Sequence, residues 1–233
     1  MNDLGVIDHF LDVFSVYIDS GFGLLGKEVS FLTATLVVID ITLAGLFWAM
    51  GGTDDVIARL IKKTLYVGAF AFIITNFRVL SGILFRSFAG LGLLASGNQI
   101  PVAQFLRPGW LAGTGVDAAR PLLTQIGELA GFPAVFLHLD SIVVLFLAWL
   151  IVIISFFVLA VQLFVTLIEF KLTTLAGFIL IPFALWNRTA SPASRALGNG
   201  VSAGITVLVL PVIVGIGCGP FNGACRPAGP GSC

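Results

Sequence analysis

The chain has 233 residues, of which 58% are apolar and only 10% charged, with a formal net charge of zero. A globular domain carries roughly 25% charge, so this composition, with a mean hydropathy of +1.08, excludes a soluble enzyme and describes one polytopic membrane domain. The balanced charge gives no global attraction to nucleic acid.

Residues 1–28 begin as an amphipathic helix. Ile7, Phe10, Leu11, Phe14 and Ile18 recur at helical spacing, and Asp8, Asp12, Ser15 and Asp19 form the opposite stripe. Asp3 and the lack of a basic leader speak against a signal peptide. The helix either lies on a membrane face or partner, or is packed with its acidic face in solvent. An acidic stripe is repelled by an anionic cytoplasmic leaflet, which points to the outer side. Gly21, Gly23 and Gly26 are expected to break this helix.

Residues 29–88 hold two spans. The first, 31–50, ends at Gly51 and Gly52 and carries Asp40 at its middle. A carboxylate at that depth requires a partner, a cavity or a proton. Arg59, Lys62 and Lys63 make 53–63 the best cytoplasmic loop. The second span, 64–88, carries Asn76, Arg78 and Arg86. Measured from that loop, Arg78 lies ~21 Å and Asp40 ~15 Å along their helices. An arginine side chain covers that offset, so an intramembrane Asp40–Arg78 pair is expected. The alternative is an Arg78 that snorkels to the outer interface, with Asp40 protonated or facing water.

Residues 89–140 form a central connection rich in Gly, Ala and Pro, placed by charge on the periplasmic side. A short helix is expected over 120–129, with Pro121 in its first turn. Gly90 and Gly92, and Gly113 and Gly115, read as flexible turns: no Lys-Ser/Thr follows them, so they are not phosphate loops. Arg107 and Arg120 are candidates for a substrate-facing surface.

The third span is the uncharged run 141–168. Glu169 and Lys171 follow as span-end anchors or a charge pair. Residues 172–186, with Pro182 and Trp186, extend only ~22 Å as a helix against a hydrocarbon core of ~30 Å. They either span or re-enter the side they left. A last span covers 201–217, making about five in all. The end, 218–233, is a Cys/Pro/Gly segment in which Cys218, Cys225 and Cys233 match no zinc spacing. His9 and His138 lie far apart, and no hydrolase, metalloprotease or nucleotide motif occurs. The reading is an all-α, non-enzymatic membrane protein without a cofactor.

Two stretches carry a more specific likeness. VSFLTATLVVIDITLAGLFWAMGGTDDVIARLIKKTLYVGAFAFIITNF (29–77) and LFVTLIEFKLTTLAGFILIPFALWN (163–187) closely resemble the TrbL family of plasmid conjugal transfer proteins. These are polytopic inner-membrane subunits of type IV secretion systems, related to the VirB-type channel component. The resemblance covers residues 1–217, and the tail is unlike the family. It implies a multi-pass inner-membrane protein with a periplasmic amino terminus and a long central periplasmic loop. It also implies partners: the secretion ATPase, bitopic scaffold subunits, and translocating single-stranded DNA with its relaxase. A homo-oligomer is expected, because about five spans do not enclose a path for a DNA strand. Rival readings are a small transporter or ion channel with Asp40 as its ion site, and an exclusion-type membrane protein that blocks uptake by recipients.

Overall fold

The computed structural model describes residues 5–50, 56–97, 100–129, 139–184 and 190–218. Among them are seven helices and no strand: α1 (Gly5–Met50), α2 (Val56–Thr75), α3 (Phe77–Ala95), α4 (Val102–Phe105), α5 (Pro108–Leu129), α6 (Leu139–Ala184) and α7 (Ala190–Cys218). Four helical stretches, Gly5–Met50, Phe77–Ala95, Leu139–Phe183 and Gly198–Ile216, are long and apolar enough to cross a membrane. Their large apolar side chains point outward along much of their length, as in Val144, Ile151 and Phe157 of α6. That is the reverse of a soluble protein and suits a lipid-facing surface.

Several boundaries differ from the sequence expectation. α1 is one helix of 46 residues, so Gly21, Gly23 and Gly26 do not break it. A glycine weakens a helix by only ~1 kcal/mol, and a β-carbon placed on Gly21 would lie 3.6 Å from the Leu175 side chain. α6 is likewise one helix of 46 residues, ~69 Å long. Glu169 and Lys171 therefore lie inside a helix and connect no separate spans. Residues 172–184 continue that helix, with Pro182 inside it and fully buried. α2 begins at Val56, eight residues before the expected start, and a single-residue turn at Asn76 separates it from α3. Helical bonds continue across that turn, from the Asn76 amide to the Phe72 carbonyl (3.1 Å) and from the Leu80 amide to the Asn76 carbonyl (2.9 Å). The Asn76 side-chain amide also donates to the Phe72 carbonyl at 3.0 Å.

Most of the described residues between 89 and 129 are helical. α3 runs to Ala95 and stops at Gly97, whose φ of 69° is the left-handed closure that favours glycine. α5 begins at Pro108, not at Arg120, so Pro121 lies in its interior. Thr124 Oγ1 donates to the Arg120 and Pro121 carbonyls there, at 3.2 and 2.9 Å.

The chain divides into two units whose boundaries fall within helices. In the unit of residues 14–85 and 169–204, a core of Phe22, Val29, Ile74, Phe77 and Ile181 gathers Ile18, Leu25, Val37, Phe70, Leu175 and Phe178 around it. Phe22 and Phe77 both pack on Phe178, with ring centroids 5.3 and 6.5 Å apart. Phe85 stacks on Phe170 at 4.1 Å. Contacts of Asp19 with Lys171, Gly21 with Leu175 and Phe22 with Phe178 advance together along both chains. α1 and α6 therefore run in the same direction here.

In the unit of residues 1–13, 86–168 and 205–233, glycine permits two close helix contacts. A β-carbon on Gly92 of α3 would collide with the Leu208 carbonyl of α7 and lie 3.0 Å from Pro211 Cγ. One on Gly115 of α5 would collide with Phe156 Cβ of α6 and lie 2.7 Å from its Cγ. Both glycines were expected in flexible turns. They are instead the close-approach points that small residues supply between membrane-protein helices.

Many of the described hydroxyls bond back to their own helix. Ser20, Thr33, Thr42, Ser155, Thr166 and Thr174 each donate to the carbonyl four residues earlier in their own helix, at 2.6–2.9 Å. This satisfies a hydroxyl without leaving the helix.

Candidate functional site

Charges inside an apolar bundle mark sites, because each must be compensated. In the unit of residues 14–85 and 169–204, two ion pairs join α1 to other helices. Lys63 Nζ of α2 lies 2.6 Å from Asp40 Oδ2, with side-chain exposures of 28% and 21%. That oxygen is buried and has no partner in hydrogen-bonding direction, so the contact is an ion pair by distance and charge. Lys171 Nζ lies 3.5 Å from Asp19 Oδ1, and both groups are more open, at 33% and 40%.

Asp40 thus has a basic partner, but it is Lys63 and not Arg78. The reason is register. With α2 starting at Val56, Lys63 stands ~10 Å along it and Arg78 would stand ~33 Å from the same point, against ~15 Å for Asp40 from the end of α1. Arg78 is exposed, and among the described residues no ion pair engages it. Glu169 is exposed, and Lys171 pairs with Asp19 rather than with Glu169. Trp186 lies outside the described residues, as do His138 and residues 219–233.

The other unit holds an open cleft of about 640 Å³, lined among others by Asp8, Gln104, Arg107, Trp110, Thr114 and Asp117. Its geometry follows from a cap. Pro108 and Gly109 open α5, and proline suits that first position because its missing N–H would be unpaired anyway. The Gly109 amide is one of the orphan donors of the helix start, and it donates to Asp8 Oδ1 at 2.8 Å. A carboxylate 101 residues away in sequence therefore neutralises both an open amide and the positive end of the α5 dipole. The acidic stripe of the first helix is thus partly engaged, with Asp8 on α5 and Asp19 on α6. Nothing in a single sequence ties Asp8 to Gly109; only the Arg-Pro-Gly run at 107–109 hints at a helix start.

Arg107 is exposed and lines this cleft with Trp110. Arg120 faces outward and pairs with Asp117 one turn earlier at 3.2 Å. The structure therefore places Arg107 in a concavity and Arg120 on the open face of the same helix region. Among the described residues, no three His, Cys, Asp or Glu side chains gather as a metal site would require.

A sequence family described as TrbL/VirB6 plasmid conjugal transfer protein matches residues 37–232. The match leaves the first 36 residues outside and extends into the Cys/Pro/Gly end, against an expected coverage of 1–217. No curated protein and no solved structure matches the chain.

Proposed function

The chain belongs to the TrbL/VirB6 family of plasmid conjugal transfer proteins, a membrane component of a type IV secretion complex, and from that premise we propose how it acts. It is an inner-membrane subunit, amino terminus in the periplasm, that helps a DNA–protein substrate across the membrane. It performs no bond chemistry, and a partner ATPase supplies the energy. Bitopic scaffold subunits hold it, copies of itself complete the path, and single-stranded DNA with its relaxase passes transiently. The observation that carries this reading is the family match over residues 37–232, supported by helices long and apolar enough to cross a membrane.

Arg107 and Arg120 are the proposed substrate-facing cations, Arg107 having the stronger support because it lines a cleft. Cations that contact phosphates release counterions, so their contribution falls as salt rises.

A mating assay tests the function. Deleting the gene from a transfer-competent plasmid should abolish donor transfer, and supplying the 233-residue chain should restore it. Donor transfer that survives deletion would overturn the reading and favour the transporter or exclusion alternatives. For the arginines, R107A/R120A should reduce crosslinking to single-stranded DNA at low salt. Unchanged crosslinking would remove them from the path.

A further inference from the structure

α2 is not among the helices apolar enough to cross a membrane, because Arg59, Lys62 and Lys63 all fall within its 20 residues. We propose that α2 nevertheless crosses, as the return limb of a hairpin with α1, and that Asp40 is the positioning residue that carries Lys63 into the hydrocarbon as an ion pair.

Four observations converge. First, both charges lie on the packed faces of their helices. Along α1 the less exposed positions include Val37, Asp40, Ala44 and Trp48, and along α2 they are Lys63, Val67, Phe70 and Ile74. Both sets follow the three-to-four-residue spacing of a packing seam. The neighbouring Lys62 is exposed, so the helix separates its two lysines by face. Second, the partners meet: Lys63 Nζ is 2.6 Å from Asp40 Oδ2, and that oxygen is buried.

Third, the register is that of a hairpin. Asp40 meets Lys63 near the turn, while Val29 shares a cluster with Ile74 and Phe77 further along. The sequence rises on one helix as it falls on the other. Five residues separate Met50 from Val56, a length typical of antiparallel neighbours. Fourth, α2 is ~30 Å long at helical rise, one hydrocarbon thickness, and its far face carries exposed Leu65 and Phe72. An unpaired lysine opposes insertion, whereas a lysine paired inside the bundle does not present a free charge to lipid. The inference depends on membrane insertion alone and is independent of the transfer role.

The test uses the full chain in inner membranes, with Cys218, Cys225 and Cys233 replaced by serine and Leu65 by cysteine. A membrane-impermeant maleimide is applied to spheroplasts and to inverted vesicles. L65C should resist labelling from both sides and react after detergent. Adding D40N should raise labelling severalfold, because Lys63 is left unpaired. The neutral pair D40N/K63Q should return it to the protected level, which separates loss of the pair from general misfolding. Labelling of L65C in the parent from either side would overturn the crossing. Continued protection in D40N, or labelling in D40N/K63Q as strong as in D40N, would overturn the role of the pair.

Discussion

The two glycines Gly115 and Gly127 lie on the same helix, α5, and should respond oppositely to alanine. Gly127 has open space around its missing β-carbon and lies near the end of the helix. G127A should therefore gain most of the intrinsic helix preference of alanine, ~0.5–1 kcal/mol. Gly115 would receive the same gain, but its new methyl would overlap Phe156 Cβ and approach Cγ to 2.7 Å. Cβ is fixed to the backbone and does not rotate away. Overpacking of this kind costs ~1–3 kcal/mol, so the net effect is a loss of ~1–2 kcal/mol once the helix gain is subtracted. F156A removes Cγ but keeps Cβ, so the double variant G115A/F156A should recover only part of the overlap energy. Unfolding by SDS titration in mixed micelles reads these differences. A G115A protein as stable as G127A would refute the close α5–α6 contact, as would complete rescue by F156A.

Three further outcomes follow from named contacts. D8A removes the cap on Gly109 and should destabilise by ~1–2 kcal/mol, from a lost cap of ~1 kcal/mol and a lost dipole interaction of ~0.3–1 kcal/mol, whereas D8N should keep most of the cap; equal losses in the two variants, measured by the same titration, would argue against it. G92A should exceed G115A in its effect, about 2–3 kcal/mol, because the obstacle is the Leu208 carbonyl, and a neutral result would remove the α3–α7 contact. The half-open Asp19–Lys171 pair should show a coupling of only ~0.2–1 kcal/mol in a double-mutant cycle, and a coupling above ~2 kcal/mol would show that the pair is far less hydrated than its exposure indicates.

The apolar runs made the helical membrane class legible, since charge-free stretches such as 141–168 have few other uses. The family, too, could be read from residues 29–77 and 163–187. Glycine misled in both directions. It is a helix breaker by propensity and a packing residue by volume, and only the neighbour decides. Gly115 needed Phe156, and Gly92 needed Leu208, to reveal their use. Asp40 was recognisable as a residue requiring a partner. The partner was not, because a helix start displaced by eight residues shifts the register by ~12 Å and exchanges one cation for another. Asp8 and Asp19 looked like a solvated stripe because their partners, Gly109 and Lys171, come from far along the chain.

The hydroxyls that bond within their own helices have a mechanical consequence. Thr33 and Thr42 on α1, and Thr166 and Thr174 on α6, spend their donors on carbonyls one turn back, so they do not cross-link one helix to the next. A helix can rotate or slide against its neighbour without breaking those bonds. What resists such movement is shape, at glycine notches and stacked phenylalanines, together with the ion pairs at Asp19 and Asp40. The ion pairs act as detents beside those notches and rings: together they fix where the helices come to rest, and the hydroxyls add nothing to that hold.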